Sequence, residues 1–387
     1  MKRADAARRR LLAMTVAVVI LDHASDNGIG YIAHNETRGD IDDQNLEKIF
    51  SRYEELGIHA VETGYATKFL LGGVNRSHYD QEAVRHYQRV IDAAARHRIT
   101  IDAHKAIKPT GLAHTYPNMM TGEGVAGMEQ QNYMGVNGNP PAQATILPFT
   151  RFIGGPADYT PGVLNVTWDP ARLGTRVQTT SAAQLAPYPT FFSPMQMLAD
   201  TPGNYAAHPE FAFLKNMPAT WDETRVLDSV IGDYTVTARR DGGTWYLGAI
   251  TDENDRTLQV PLSFLPQGTF VAETYADAQE TTWKGDPLPV EIRKTLVRSS
   301  TRLSMSLVAA GGQAVRIRPV TGRDLDQLPW YADPRAGYGT PEAVLDPATQ
   351  QLTVQAPLTN KGSTVAEFQT RLFNGRAAGQ VRSVAVS

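Results

Sequence analysis

Carboxylate and imidazole side chains of this chain recur at positions from which they could act together as general acids and bases. Glu36 follows a short apolar run, His104 closes another, and Glu123 and Glu129 stand in the segment after it. Glycosidic cleavage needs two carboxyl groups, of which one protonates the leaving oxygen and the other attacks the sugar or activates water. The three glutamates are therefore candidate acids and bases, provided that the fold brings them to one place.

The elements that must position these side chains alternate between helix and strand over the first part of the chain. Apolar residues recur at helical spacing in some segments and form short continuous runs in others. The predicted order is a helix at Val16–Asn27, a strand at Gly28–Ala33, a helix at Asp42–Leu56, a strand at His59–Thr63, a helix at Tyr79–Arg96 and a strand at Arg98–His104. Repeated strand–helix units predict parallel strands joined by right-handed crossovers.

Polar side chains gather where the predicted strands end. His34 and Glu36 follow the first strand, Glu62 lies in the second, and His104 and Lys105 end the third. The carboxyl ends of parallel strands face the active site in barrels and in open α/β sheets. We therefore expect these five residues at one edge of the sheet, beside a long ordered loop that carries the two later glutamates.

The composition of the chain is that of an ordinary globular protein with large cores. It has 387 residues, of which 42% are hydrophobic and 20% charged, and its net charge is −3. No basic stripe with interleaved aromatic residues is present, so nucleic acid is not an expected partner. The absence of cysteine excludes disulfides, thiolate metal sites and a cysteine nucleophile.

The N-terminus allows two interpretations. A basic start is followed by the apolar run Leu11–Leu21, which has the length of a signal-peptide core and is too short to span a bilayer as a helix. No clear cleavage site follows the run. It is therefore either a buried helix that precedes a strand or an export signal or anchor, and no stable membrane span is predicted.

Short β-type runs replace the strand–helix pattern from about Trp221 onward. The runs are YTVTARR, TWYLGAIT, LQVPLSFL, TFVAETYA, PVEIRKTLV, RLSMSLVAA and AVRIRPV. They are separated by turn signals such as Asp241-Gly242-Gly243. About seven such strands predict an antiparallel β-sandwich. Residues 321–387 add a proline-rich connector and further β runs, which predict a partial β module.

Several collinear segments carry a resemblance to a known family. They are HNET at His34–Thr37, TGY at Thr63–Tyr65, DAH and IKPTG within Asp102–Gly111, TYPNMMTGEGVAGME at Thr115–Glu129, TILPFTR at Thr145–Arg151 and GGPADYTPG at Gly154–Gly162. Together they resemble glycoside hydrolase family 97, which contains calcium-dependent α-glucosidases and α-galactosidases. The resemblance extends over roughly residues 15–320.

The resemblance implies a role for each matching position. Glu129 matches the family's general acid, and Glu36 matches the catalytic base of its inverting branch. Glu123 and Glu129 match calcium ligands, whereas His34 and His104 match residues that contact the sugar. The expected activity is calcium-assisted hydrolysis of α-linked glucosides or oligosaccharides with inversion, and α-galactosides are the alternative substrate. The resemblance also implies a periplasmic or extracellular location.

Two positions depart from the family pattern in a way that exchanges charges. Lys105 stands where family members usually carry a calcium-binding glutamate, and Glu62 stands where they usually carry a lysine. Both residues are therefore candidate substrate contacts of altered chemistry, and an ion pair between them would preserve the net charge. An ammonium group cannot bind Ca²⁺ and would repel it.

The resemblance begins partway through the family's barrel, so we expect an N-terminally truncated member of mixed α/β and all-β class. The predicted domains are a signal-like or unassigned segment at 1–14, a partial (β/α)₈ barrel at 15–215, an antiparallel β-sandwich at 216–320 and the connector with its partial module at 321–387. A partial barrel exposes sheet edges through which copies could self-associate. The competing functional class is a catalytically inactive paralogue or a carbohydrate-binding remnant.

Overall fold

The computed structural model describes residues 18–36, 41–64, 69–71, 74–132, 138–167, 177–215 and 217–331, and six short strands between residues 336 and 386. The chain divides into two units. The first comprises Met1–Arg256, Tyr275–Glu291 and Leu307–Ala314, and the second comprises Thr257–Thr274, Ile292–Ser306 and Val315–Ser387. Within the described residues, no helix has the length and apolarity that crossing a membrane requires. Most of the apolar run Leu11–Leu21 lies outside these residues.

The first unit begins with the predicted alternation of helix and strand. Residues 18–26 are helical, and the elements that follow are β1 (Ile32–Glu36), α1 (Leu46–Glu55), β2 (Ala60–Gly64), β3 (Phe69–Leu71), β4 (Val74–Arg76), α2 (Gln81–Arg96), β5 (Thr100–Ala103), α3 (Leu112–Thr115) and β6 (Met119–Gly122). A four-stranded sheet has the order β1-β2-β5-β6, and its three pairings are parallel. The predicted parallel sheet is therefore confirmed.

Helix α2 shows why the sequence pattern predicted these elements well. Asp80 caps the helix, because its side chain accepts a hydrogen bond from the backbone N–H of Ala83 at 2.9 Å. The buried face of α2 includes Tyr87, Val90 and Ile91, which belong to the same core as the strand residues of the parallel sheet. The apolar stripe of α2 therefore packs against the apolar face of the sheet, as its amphipathic pattern predicts.

Element boundaries differ from the predictions where turns intervene. Strand β1 begins at Ile32 instead of Gly28, because Gly28 has a φ of +67° and turns the chain after the first helix. Helix α1 begins at Leu46 instead of Asp42, because the residues before it form a turn in which the Asn45 side chain donates to Asp42 at 2.9 Å.

The prediction of one long loop after residue 105 was partly wrong, because this segment contains the parallel strand β6. Two extended segments continue beside this strand. The N–H of Asp158 donates to the carbonyl of Gly122 at 3.1 Å, and the N–H of Ala157 donates to the carbonyl of Phe192 at 3.2 Å. The Ser193 hydroxyl also bonds the Thr121 hydroxyl at 2.9 Å. The part-barrel therefore extends past the four strands that define its sheet.

The connecting region that follows is built from short helices and turns. They are 3₁₀ turns at Glu129–Asn132, Leu147–Phe149, Arg151–Gly154, Ala182–Gln184 and Pro209–Phe213, and short helices α4 (Pro141–Ile146), α5 (Pro187–Thr190) and α6 (Pro202–Ala207). Prolines at the first turns of the helices fix their start, since proline is tolerated where no N–H donor is needed.

The predicted C-terminal β-sandwich is confirmed, with eight strands between residues 223 and 319 in place of about seven. They are β7 (Glu223–Val230), β8 (Tyr234–Asp241), β9 (Thr244–Thr251), β10 (Arg256–Pro261), β11 (Phe270–Asp277), β12 (Val290–Val297), β13 (Arg302–Leu307) and β14 (Gly312–Pro319). In the first unit, β7, β8 and β9 form an antiparallel meander. In the order of the six-stranded sheet, β11 stands between β12 and β14, and β10 pairs with β13.

The C-terminal tail contains short antiparallel strand pairs. After helix α7 (Asp324–Gln327), the pairs are β15 (Ala336–Tyr338) with β18 (Leu358–Asn360), β16 (Glu342–Leu345) with β17 (Leu352–Gln355), and β19 (Ala366–Thr370) with β20 (Arg382–Val386). The four domain boundaries proposed from the sequence stay predictions.

Candidate active site

A polar cavity of about 430 Å³ opens at the carboxyl ends of the parallel strands. Its lining consists of His34, Glu62, His104, Glu123, Gly127, Glu129, Gln130, Asp158 and Thr160. Five of the site residues predicted from the sequence thus meet in one place. The volume lies within the range of small-molecule sites, and an edge of this kind is where α/β proteins place them.

The strand register explains why these side chains meet. His34 of β1 is paired with Glu62 of β2, which is in turn paired with Asp102 of β5. Residues that are paired across a sheet project from the same face, so the three side chains form one row. His104 lies two residues beyond Asp102 and thus follows it on that face. Glu36 ends β1 in register with Gly64, but its side chain lies outside the described part of the chain.

Glu62 lies between two imidazole rings. Its Oε1 atom is 3.0 Å from Nε2 of His104 and 3.5 Å from Nε2 of His34. The two rings are nearly perpendicular, with an interplanar angle of 86° and centroids 6.3 Å apart. The hydrogen bond from His104 lowers the pKa of the Glu62 carboxyl, although burial acts in the opposite direction. Glu62 therefore stays ionised, and its ion-pair partners are histidines rather than the Lys105 suggested by the charge exchange.

Glu123 is fixed by hydrogen bonds to both of its carboxylate oxygens. Oε2 accepts the backbone N–H of Lys105 at 3.0 Å, and Oε1 accepts the Gln130 side-chain amide at 2.9 Å. Lys105 has a left-handed φ of +45°, which turns its N–H toward this carboxylate. Lys105 thus contributes its backbone N–H to the site. Burial lowers the pKa of His78, and the positive charge of the Lys105 side chain lowers it further.

The loop that carries Glu129 is held by side-chain amides. The amide of Asn139 donates to the carbonyls of Ala126 and Gly127, both at 2.9 Å. Gln130 accepts the N–H of Gly127 at 2.8 Å. An added Cβ at Gly127 would lie 2.7 Å from the carbonyl oxygen of Tyr159, so only glycine fits. These contacts place Glu129 at the mouth of the cavity, where it is exposed to solvent.

Arg151 binds five backbone carbonyls and thereby joins the Glu123 loop to the chain after the next turn. Its guanidinium donates to Gly122 at 2.9 Å and to Glu123, Gly124, Gly155 and Pro156 at 3.2 Å. A planar fork of five N–H donors is suited to such a role. Burial lowers the pKa of this guanidinium, so the carbonyls compensate a charge that is partly removed from water.

Two buried carboxyl groups lie close together at the cavity, and one of them, Asp158, is part of its lining. Burial raises the pKa of Asp102 well above its usual range, and the neighbouring charge of Asp158 raises it further. Burial also raises the pKa of Asp158, whose Oδ1 accepts the backbone N–H of Thr160 at 3.2 Å. Two adjacent carboxylates repel each other when both are ionised, so ionisation of the second member of the pair is disfavoured. The sequence PADYTPG around Asp158 favours a structural turn residue over a substrate contact, whereas the structure places Asp158 in the cavity lining.

Three side chains form a group with metal-ligand geometry. His104, Glu123 and Glu129 each offer one ligand atom, and these atoms lie within 4.8 Å of one another. The two carboxylates fit Ca²⁺, which takes oxygen ligands. The imidazole nitrogen is a ligand for transition ions rather than for Ca²⁺. The residues present thus fit a divalent cation in part, and Glu123 and Glu129 are the ones that would hold calcium.

Comparison with known protein families agrees with this geometry. The family model described as "Glycoside hydrolase 97" matches residues 15–125, and that described as "Glycosyl-hydrolase 97 C-terminal, oligomerisation" matches residues 220–318. The chain belongs to glycoside hydrolase family 97. The family predicted from the motifs is therefore confirmed, and so is the fold class of a partial barrel followed by a β-sandwich.

Relatives of this family 97 chain include two curated proteins. A "Retaining alpha-galactosidase" of Bacteroides thetaiotaomicron is 32% identical over 304 residues, which are 77% of this chain and 44% of the relative. A "Probable retaining alpha-galactosidase" of Streptomyces bingchenggensis is 34% identical over 235 residues, which are 60% of this chain and 34% of the relative. The chain thus spans less than half the length of these proteins.

Solved structures show the same relationship. A family 97 enzyme from Pseudoalteromonas sp. strain K8 in complex with acarbose is 36% identical, with a TM-score of 0.73, over 78% of this chain and 49% of the other. A β-arabinopyranosidase is 24% identical with a TM-score of 0.65, and it shares the fold. The roles proposed for Glu129, Glu36, Glu123, His34, His104, Glu62 and Lys105 stay predictions.

Proposed function

We propose that this family 97 chain hydrolyses α-linked glycosides in the cavity at the carboxyl ends of its parallel strands. The observation that carries the proposal is the meeting of Glu62, Glu123 and Glu129 with two histidines in that cavity. Glu129 lies at the exposed mouth, where it can protonate a leaving-group oxygen. A second carboxylate deeper in the cavity would act on water or on the anomeric carbon.

The proposed substrates are α-glucosides, with α-galactosides as the second candidate. The Pseudoalteromonas enzyme was solved with acarbose and also with panose, and a pocket that holds such saccharides supports the first choice. The names of the curated relatives support the second. The histidines His34 and His104 are proposed to contact sugar hydroxyls, because each presents an imidazole to the cavity.

The stereochemical outcome depends on which carboxylate cooperates with Glu129. Inversion requires about 6.5–9.5 Å between the two carboxyl groups, because a water molecule stands between one of them and the sugar. Retention requires about 5–5.5 Å, because the second group attacks the sugar directly. We propose inversion, for which the family motif implies Glu36 as the base, whereas the names of the curated relatives favour retention.

Calcium is the proposed cation, held by Glu123 and Glu129. When bound, it would supply positive charge that orients a sugar hydroxyl and the attacking water. The chain's own residues prepare this site independently. Gln130 and the Lys105 N–H fix the Glu123 carboxylate, and Asn139 fixes the loop before Glu129.

The test is release of free sugar from α-linked glucose and galactose disaccharides by the full chain, with calcium and with chelator, because a sugar leaving group needs the proton that Glu129 is proposed to donate. We expect turnover that falls about 10²- to 10⁴-fold in Glu129→Gln. The matched control is Glu82→Gln on the exposed side of α2, which should behave as wild type. Undiminished turnover in Glu129→Gln would contradict the acid assignment. A folded protein without turnover on either substrate would favour the inactive-paralogue alternative.

A further inference from the structure

Glu62 is a carboxylate of the cavity to which the family motifs assign no catalytic step. It lies on β2 in register with His34 and Asp102, and its side chain is only 20% exposed. Both imidazole contacts are made to the same oxygen, Oε1. Neither of the two ion pairs shown for Glu62 involves its other carboxylate oxygen, Oε2.

We propose that Glu62 is the carboxylate that activates water in this chain, in the role that the motif resemblance gives to Glu36. This inference rests on the proposed glycoside hydrolysis and names the second carboxylate of the same site. It is specific to this chain, because the carboxylate belongs to a position where the resemblance implies a lysine. The lysine of this chain, Lys105, presents its backbone N–H to Glu123 instead.

The surroundings of Glu62 suit a general base better than a structural carboxylate. Glu123 has a hydrogen bond on each of its carboxylate oxygens. Glu62 instead has two imidazoles on one oxygen, which hold the carboxylate plane in place and supply positive charge when either ring is protonated. Glu62 and Glu129 line the same cavity of about 430 Å³, which has room for a sugar and a water molecule.

The proposed step balances without a further reactant. Glu62 takes a proton from water as the water oxygen bonds to the anomeric carbon. The glycosidic bond breaks, its electron pair goes to the leaving oxygen, and Glu129 donates a proton to that oxygen. Both carboxyl groups then return to their starting protonation by exchange with solvent.

The test compares Glu62 and Glu36 in the full chain. Glu62→Gln should lower kcat by about 10²- to 10⁴-fold, whereas Glu36→Gln should lower it less. Glu62→Gly in azide should regain turnover and form the β-glycosyl azide from a p-nitrophenyl α-glycoside, because the small anion replaces the activated water. A purely structural role for Glu62 would give no azide product. Glu82→Gln is the matched control.

Binding of 1-deoxynojirimycin, measured by calorimetry, separates this inference from the proposed function. The ammonium of this sugar analogue should pair with an ionised carboxylate facing the anomeric position, so Glu62→Gln should weaken binding more than Glu36→Gln. Turnover that survives in Glu62→Gln and is lost in Glu36→Gln would overturn the inference and leave the proposed function standing. Glu62-dependent binding without turnover would overturn the hydrolysis and keep Glu62 as the anomeric carboxylate. Absence of both turnover and binding would overturn both.

Discussion

Replacing Arg151 by lysine tests whether the cavity depends on the hydrogen bonds by which Arg151 joins residues 122–124 to residues 155–156. The guanidinium donates to five backbone carbonyls from two separate stretches of chain. A lysine ammonium has three donors on one atom and cannot reach both stretches in the same geometry. A hydrogen bond from a charged donor is worth about 1.5–3 kcal/mol, and water replaces part of what is lost.

We therefore expect Arg151→Lys to cost about 3 kcal/mol in the local stability of the Glu123 loop. The assay is hydrogen–deuterium exchange of the amides of Glu123 and Asp158, which donate to Ala103 at 2.8 Å and to Gly122 at 3.1 Å. A local loss of that size corresponds to exchange about a hundredfold faster.

Arg85→Lys is the matched control for this prediction, because Arg85 pairs with Glu82 on the exposed surface of α2. Its exchange should equal that of the wild type at the two reporter amides. Unchanged exchange in Arg151→Lys would refute the reasoning, since it would mean that the five carbonyl contacts do not hold the loop.

Three further predictions concern the cation group, a buried acid and a close contact. Glu123→Gln should abolish calcium binding in calorimetry, because it removes a ligand charge, and wild-type affinity in this variant would exclude Glu123 as a ligand. Burial raises the pKa of Asp277 to about 7. The folded chain thus holds a proton that the unfolded chain has lost, so stability should fall as pH rises from about 4 to 7, and Asp277→Asn should reduce this slope in urea unfolding. An equal slope in that variant would contradict the argument. Gly248→Ala should lower the melting temperature, because the added Cβ would overlap the Ala186 carbonyl and lie 2.6 Å from the Thr190 hydroxyl, at a cost of about 1–3 kcal/mol. An unchanged melting temperature would show that this part of the core can expand.

The sequence was sufficient for the elements whose pattern reflects a single apolar face. Helix α2 and strands β2 and β5 lie close to their predicted bounds, because helical and strand periodicities record which side packs on the core. The four-residue strand β6 was missed. Its sequence, MMTG, shows no clean alternation and follows a short helix, and its pairing with β5 includes a register shift.

The candidate site could be predicted only as far as it depends on strand ends. His34, Glu62 and His104 meet because parallel strands align their carboxyl termini, which is a general rule. The hydrogen bonds that hold the loops could not be predicted from the sequence, because their donors come from residues far along the chain. Arg151 is far along the chain from the carbonyls of Gly122 and Glu123, and no local pattern marks an arginine that binds backbone.

The same limit applies to the buried acids. Asp158 lies in a turn sequence, and only the folded chain brings it beside Asp102 of β5. The charge exchange between positions 62 and 105 suggested an ion pair between them. Glu62 instead contacts His34, which is paired with it across the sheet, and His104, which lies two residues beyond its other partner Asp102 on the same face.

The most direct test of the account is proton NMR of an α-linked glucose disaccharide and an α-linked galactose disaccharide during incubation with the full chain and with Glu129→Gln. The account predicts loss of the α-anomeric signal of at least one substrate with the wild type, release of the free sugar first as its β-anomer, and no loss with the variant. An unchanged signal with folded wild-type chain, or equal loss with the variant, would contradict the claim that this cavity cleaves α-glycosides through Glu129.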